Sequence, residues 1–169
     1  MEAFTSGMGE AGIATAVKHF PGIGEVRGNT DFATRVVDTT TTRRDPALSG
    51  FQAAVDAGVD MVMVSSVIYT RIDESRQAAF SRTVVDGMIR QDLGFEGVVI
   101  SDDLAAAAVR DLSPERRAVD FVRAVGARVS VPVHDALLAP DRRDFYLGHV
   151  RRLGRSDVHD PAADGVLEA

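Results

Sequence analysis

Short apolar runs, each followed by polar or glycine-bearing residues, recur along the chain between longer stretches of helical periodicity. Ala14-Thr-Ala-Val-Lys18 is brief, apolar and followed by Pro21-Gly22, which predicts a strand running into a loop. Residues 25–44 hold Gly28, Asn29, Asp31 and the run Thr39–Thr42 with little periodicity. They predict a long loop, and loops of that length in a compact domain usually carry function. Asp45-Pro46 then opens a helix, with Asp as N-cap and Pro at the first helical position. Leu48, Phe51, Ala54 and Val55 share one face of it, and Gly58 closes it. Asp60-Met-Val-Met-Val-Ser65 predicts a buried strand. Ser81 caps a second helix with a stripe of Val84, Val85, Met88, Ile89 and Leu93, ended by Gly94. Val98-Val99-Ile100 is the next strand. A further helix is expected over Ser113–Val125, with Pro114 at its start and Val119, Val122 and Val125 turned inward.

Strands of about four apolar residues alternating with helices predict a parallel sheet with crossover helices, an α/β fold. Polar residues are expected immediately after each strand: Lys18-His19, Ser65-Ser66 and Ser101-Asp102-Asp103. Active groups gather at the carboxyl ends of parallel strands in open sheets and in (β/α) barrels alike. Three such units are legible before residue 126. Beyond Gly126 the apolar period fades into residues rich in Arg, Asp, Pro and His, and residues 127–169 are expected to be an irregular, disordered or altered end. A short strand over Arg128–Val133 and a short helix over Leu147–Leu153 are the elements offered there, with fraying from Asp157 onward.

Composition narrows the function classes. The chain has 169 residues, 45% of them hydrophobic and 26% charged, with a net charge of -6. That acidic balance argues against nucleic acid or an anionic membrane surface as the main partner. No run approaches the ~20 apolar residues of a membrane span, and residues 1–8 carry no pattern of a signal peptide. There is no cysteine, so no disulfide or thiolate metal site can form, and the compartment, cytoplasmic or exported, stays open. His134, His149 and His159 lack metal-ligand spacing and are expected at the surface.

Ser101-Asp102-Asp103-Leu104 admits two readings. One is capping by Ser or Asp of a helix that Ala105–Val109 would form after the strand. The other is a carboxylate held at the rim of a sheet, able to attack a substrate or bind a sugar hydroxyl. Both hold if Asp102 faces a pocket while Asp103 or Ser101 serves the backbone. Lys18-His-Phe-Pro-Gly-Ile-Gly24 places two hydrogen-bond donors before a glycine-bearing loop that lets backbone approach a ligand. No Gly-Lys-Ser/Thr follows, so a phosphate loop is not indicated. Glu25, Asp31 and Asp38 are expected to be solvated loop carboxylates. Ser65-Ser66 lacks the flanking glycines of a nucleophile elbow.

Together these segments resemble glycoside hydrolase family 3. Lys18–Gly24 resembles its Lys-His-Phe-Pro-Gly-x-Gly motif, and Leu93-Gly-Phe-Glu-Gly-Val-Val-Ile-Ser-Asp102 resembles its Leu-Gly-Phe-x-Gly-x-Val-x-Ser-Asp segment. The Gly28-Asn-Thr-Asp31 loop and Ser65-Ser-Val-Ile-Tyr69 resemble the bacterial β-N-acetylhexosaminidase-like branch. Residues 8–126 carry the resemblance, and residues 1–126 are expected to form the barrel part. The resemblance implies the C-terminal part of a (β/α)8 TIM barrel, with about three to four β/α units. It implies a retaining mechanism on terminal β-linked N-acetylglucosamine, with Asp102 as nucleophile, Lys18 and His19 binding the sugar, and Lys18 favouring the ionised Asp102. No metal or organic cofactor is expected.

Two departures qualify that implication. The branch takes its proton donor from a loop His two residues after an Asp, whereas Asp31 is followed by Phe32-Ala33, and Ile23 replaces a second His. Asp31 is therefore the first candidate acid/base, by position, with Glu25 behind it. A complete barrel also uses about 250 residues, so the first units are expected to be missing, Met1 is not expected to be the natural start, and unpaired edges should promote dimerisation or poor solubility. A β-glucosidase or β-xylosidase of the same family, a sugar-binding fragment without turnover, and an unrelated α/β domain holding Mg²⁺ on Asp102-Asp103 are the alternatives.

Overall fold

The computed structural model describes residues 2–126 and 130–131. Helix α1 (Glu2–Glu10) leads into strand β1 (Ala16–Phe20). Next come β2 (Val37–Asp38), a 3₁₀ turn at Pro46–Leu48 continuing into α2 (Ser49–Asp56), and β3 (Met61–Val64). The remaining elements are β4 (Ile68–Tyr69), a π-helix (Thr83–Asp92), β5 (Val98–Ser101), α3 (Pro114–Val125) and β6 (Ser130–Val131). The main sheet has the order β1-β3-β5-β6 with every pairing parallel, and β2 pairs in parallel with β4. Successive strands of the sheet are separated by helices, as the alternating pattern predicts.

Parallel strands covered on both faces read as continuous apolar runs. Val99, Ile100 and Ser101 are consecutive and all buried, while in β3 Val62 and Val64 are buried and Met61 and Met63 are half-buried. Phe20 at the end of β1 meets Phe51 of α2 edge to face, ring centres 5.0 Å apart. Ser81 caps the π-helix by accepting the Val84 amide at 3.3 Å. Val84, Val85, Met88 and Ile89 of that helix are buried, whereas Leu93 is only half-buried. Asp45 accepts the Ala47 amide at 2.9 Å, so the expected N-cap forms, and Ser113, at the expected start of α3, accepts the Arg116 amide at 3.3 Å in the same role. Arg90 closes the turn into β5 by donating to the carbonyls of Phe95 (2.8 Å) and Gly97 (2.7 Å).

Four expectations need correction. The first strand starts and ends two residues later than its apolar run. Thr15 is tied to Asp60 by its amide at 2.7 Å, and the fully buried Phe20 ends the strand, so Lys18 and His19 lie within β1 instead of after it. Residues 25–44 are not loop throughout, because backbone bonding to the segment after β3 makes Val37–Asp38 a short strand. On α3 the inward face is Ala118, Phe121, Ala124 and Val125, with Val119 and Val122 half-buried, because the helix rotates to seat its largest apolar side chain, Phe121. Ala105–Val109 forms only a 3₁₀ turn at Ala107–Val109. Helix α1 has no counterpart in the sequence reading; Gly7 and Gly9 mask it.

Of the elements expected after residue 126, Ser130–Val131 lies within the anticipated strand. The helix over Leu147–Leu153, the end from Asp157, and His134, His149 and His159 lie outside the described residues. None of the described helices is long and apolar enough to cross a membrane.

Candidate active site

The carboxyl ends of β1, β3 and β5 are neighbours because β3 lies between the other two. Asp102 follows β5 directly, and its amide donates to the Val64 carbonyl at 2.9 Å, locking it to the end of β3. Its Oδ1 accepts the Asp103 amide at 2.9 Å, while Asp103 Oδ1 accepts the Ala105 amide at 2.7 Å. The Ser-Asp-Asp sequence thus divides its work, with no regular α-helix following it to be capped. Asp103 organises the following turn, and Asp102 presents its carboxylate to a cleft.

His19 reaches the same cleft from β1. The β1–β3 register runs Ala16–Met61 and Val17–Val62 and then slips to Phe20–Val64, so Lys18 and His19 share the interval opposite Met63. Such bulges re-aim side chains. The Lys18–His19 and Phe20–Pro21 peptide bonds are cis. His19 Nε2 lies 3.9 Å from Asp102 Oδ2, and both side chains are about one-fifth exposed, at 23% and 22%. That separation is too long for a hydrogen bond and leaves both groups able to face a ligand.

The cleft has a volume of about 250 Å³ and is lined by His19, Asp102, Ile23, Val26 and the loop Gly28-Asn-Thr-Asp31. Asn29 Oδ1 accepts the Asp31 amide at 2.8 Å, shaping the loop as an Asx turn. The Ala107 and Ala108 amides donate to the carbonyls of Asp31 (3.3 Å) and Thr30 (3.0 Å), docking the loop on the chain that follows Asp102. Gly28 packs closely there, since a Cβ would stand 3.3 Å from Val36 Cγ2. Apolar Ile23 and Val26 facing polar Asn29, Thr30 and the carboxylates give a surface with both hydroxyl-binding groups and an apolar patch.

The expected site residues do not all converge. His19, Asp31 and Asp102 line one cleft. Lys18 is exposed and forms no ion pair with Asp102 among the described residues. Glu25 is exposed.

Asp38 is not a solvated loop carboxylate; it is buried. Its oxygens accept the Thr40 amide (2.7 Å), the Thr41 amide (2.8 Å), the Thr40 hydroxyl (3.1 Å) and the Thr41 hydroxyl (2.7 Å). Burial alone would push its carboxyl pKa up, but these hydrogen bonds outweigh it and hold it below the usual range. Ser65 is likewise structural. Its hydroxyl lies 2.9 Å from the Tyr69 phenol, which donates to the Gly22 carbonyl at 2.7 Å and so ties the Pro21-Gly22 turn to the β3 end. Burial pushes the Tyr69 phenol well above its usual range, keeping it a donor. No group of three or more metal-ligating side chains occurs among the described residues. Of the lining residues, Val26 escaped sequence reasoning, while Ile23 and Asn29 were noted there only within the family motifs and the long loop.

The fold is the incomplete (β/α)8 barrel that the family resemblance implied, with its polar cleft at the carboxyl ends of the strands. The sequence profile of the glycosyl hydrolase family 3 N-terminal domain matches residues 1–136, and the chain belongs to that family. A β-hexosaminidase of Xylella fastidiosa (strain M12) is 39% identical over 111 residues, covering 64% of this chain and 32% of its own length. A second, from strain 9a5c, is 35% identical over 138 residues, covering 80% of this chain and 41% of its own. The crystal structure of the β-N-acetylhexosaminidase from Beutenbergia cavernae superposes with a TM-score of 0.77 at 39% identity, over 92% of this chain and 45% of that one. The chain therefore spans about a third to two-fifths of these two curated relatives.

Proposed function

We propose that this segment carries the nucleophile-bearing part of a retaining β-N-acetylhexosaminidase acting on terminal β-linked N-acetylglucosamine. The observation that carries the reading is the pairing of His19 with Asp102 at 3.9 Å on the wall of a cleft at the strand ends. In this reading the Asp102 carboxylate attacks the anomeric carbon, the glycosidic bond breaks, and a covalent glycosyl-enzyme forms that water later opens. Its fixed backbone, held by Val64, presents the carboxylate without reorganisation. His19 binds a sugar hydroxyl beside the reacting carbon. Lys18, exposed on the same strand, has a secondary part in hydroxyl binding. Asp31, on the loop that lines the same cleft, is the candidate to hand the proton to the leaving oxygen. The names of the relatives, including the Neisseria gonorrhoeae NagZ complex with N-trifluoroacetyl-D-glucosamine (TM-score 0.68, 25% identity, covering 99% of this chain and 50% of that one), support an amino-sugar over glucose or xylose.

A second reading, sugar binding without turnover, is favoured by Asp31 being followed by Phe32-Ala33, so that the loop carries no histidine two residues after Asp31. One experiment separates the two: release of the aryl group from an aryl N-acetyl-β-glucosaminide, with N-acetylglucosamine binding titrated alongside. The enzyme reading expects turnover that Asp102→Ala abolishes; near-normal turnover in that variant would sink it. Binding without turnover in the unaltered chain selects the second reading.

A further inference from the structure

We infer that Gln77 is a positioning residue, which sets the distance between the loop wall of the cleft and Asp102. Gln77 lies outside the cleft and is 9% exposed. Its side-chain amide donates to the Ala108 carbonyl at 3.0 Å in a buried contact. The carbonyl can only accept, so the nitrogen end of the Gln77 amide must face it. The amide of the same residue, Ala108, donates to Thr30 at 3.0 Å, and the adjacent Ala107 amide donates to Asp31. Thr30 and Asp31 are the polar end of the cleft wall. Ala108 is therefore a relay with Gln77 on one side and the loop on the other. At 1% exposure it leaves no room for water to replace either bond.

The other end of the relay is anchored where Asp102 is anchored. The Ala78 and Ala79 amides next to Gln77 donate to the carbonyls of Val67 (2.9 Å) and Ser65 (3.1 Å), immediately after β3. Asp102 is bonded to Val64, the last residue of β3. One strand end thus fixes the carboxylate directly and the opposite wall through Gln77. Arg117 steadies the same segment at its two ends, donating to the carbonyls of Leu104 (2.8 Å) and Leu112 (2.7 Å). Gln77 grips its middle, at the residue that meets the loop.

The inference rests on the cleft being the sugar site, and the test keeps the two apart. The full chain is compared as wild type, Gln77→Leu, Gln77→Asn and Gln77→Glu, reading amide-exchange protection residue by residue and N-acetylglucosamine affinity by titration. Gln77→Leu is expected to speed exchange at Ala107 and Ala108 by about tenfold, the upper range for one lost hydrogen bond. Val62 and Val99 should remain protected, and the sugar Kd should rise. Gln77→Asn, too short to reach, should behave alike and guards against a misfolded Leu variant. Gln77→Glu donates only when its carboxyl is protonated, so its protection at Ala108 should recover at pH 5 relative to pH 8, a signature that mere packing would not produce. Unchanged protection at Ala107 and Ala108 in both Gln77→Leu and Gln77→Asn would overturn the inference. Loosened amides in a chain whose wild type binds no sugar would leave Gln77 as the positioner of the loop and remove the sugar reading instead.

Discussion

His19 Nε2 and Asp102 Oδ2 stand 3.9 Å apart although their strands, β1 and β5, are not neighbours in the sheet. β3 separates them, and the bulge in β1 turns His19 toward the strand end where Asp102 is held. Because Asp102 is fixed by the Val64 carbonyl and not by His19, His19→Ala should leave the carboxylate in place and remove one ligand contact. N-acetylglucosamine binding is expected to weaken by about 0.5–1.5 kcal/mol, measured by titration calorimetry. Undiminished affinity would place the sugar elsewhere.

Gly97 sits where no side chain fits. A Cβ there would stand 2.6 Å from the Asp60 carbonyl and 2.6 Å from the Phe95 ring. The first of these is rigid backbone flanking the start of β3, so β5 would have to move away from it. Gly97→Ala should cost about 1–3 kcal/mol by overpacking, seen as a lower urea midpoint. Stability equal to wild type would show that the β3–β5 contact yields more easily than the geometry implies.

The Asp38 carboxyl gives a pH signature. Its hydrogen bonds from Thr41 and Thr40 outweigh the upward push of burial and set its folded pKa below the ordinary 3.8. A carboxyl lowered on folding stabilises fully above its unfolded pKa, and that contribution is lost as the pH falls through the folded value. Asp38→Asn should therefore lose about 1–3 kcal/mol at neutral pH and show a shallower decline on the acid side below about pH 4. Parallel wild-type and variant stability curves across the acid range would contradict this.

β1 is an edge strand, with β3 its sheet neighbour among the described residues. Ala16 and Lys18 on it are exposed, as are the large apolar Phe4, Ile13, Ile23 and Phe32, the last at 83%. Unpaired edges template association. The 169-residue chain should sediment with a concentration-dependent increase in mass, and Ala16→Lys should reduce it. A monomer at every concentration would refute the expectation.

Much of the β/α alternation was legible in the chain because strands buried on both faces must be short apolar runs and helices between them must carry a stripe. Val62, Val64, Val99 and the stripe Val84–Ile89 follow from that requirement alone, and the caps at Asp45 and Ser81 follow from the unsatisfied amides of a helix start. Asp102 was legible as a carboxylate directly after an apolar strand, although those residues alone left capping and catalysis open and only the family resemblance pointed to a nucleophile. What composition and periodicity could not reveal was mutual placement. Lys18 and His19 are adjacent in the chain, yet only His19 lines the cleft, because a register slip between two strands decides which side chain turns inward. Asp38 and Asp31 read alike as loop carboxylates. Asp38 is buried by the pairing of β2 with β4, whereas Asp31 is presented to the cleft by a loop bonded to Ala107 and Ala108. Gln77 carried no sequence signal at all, since its partner is a backbone carbonyl, and every residue supplies one. Such contacts are long-range and backbone-mediated, and only the folded chain creates them.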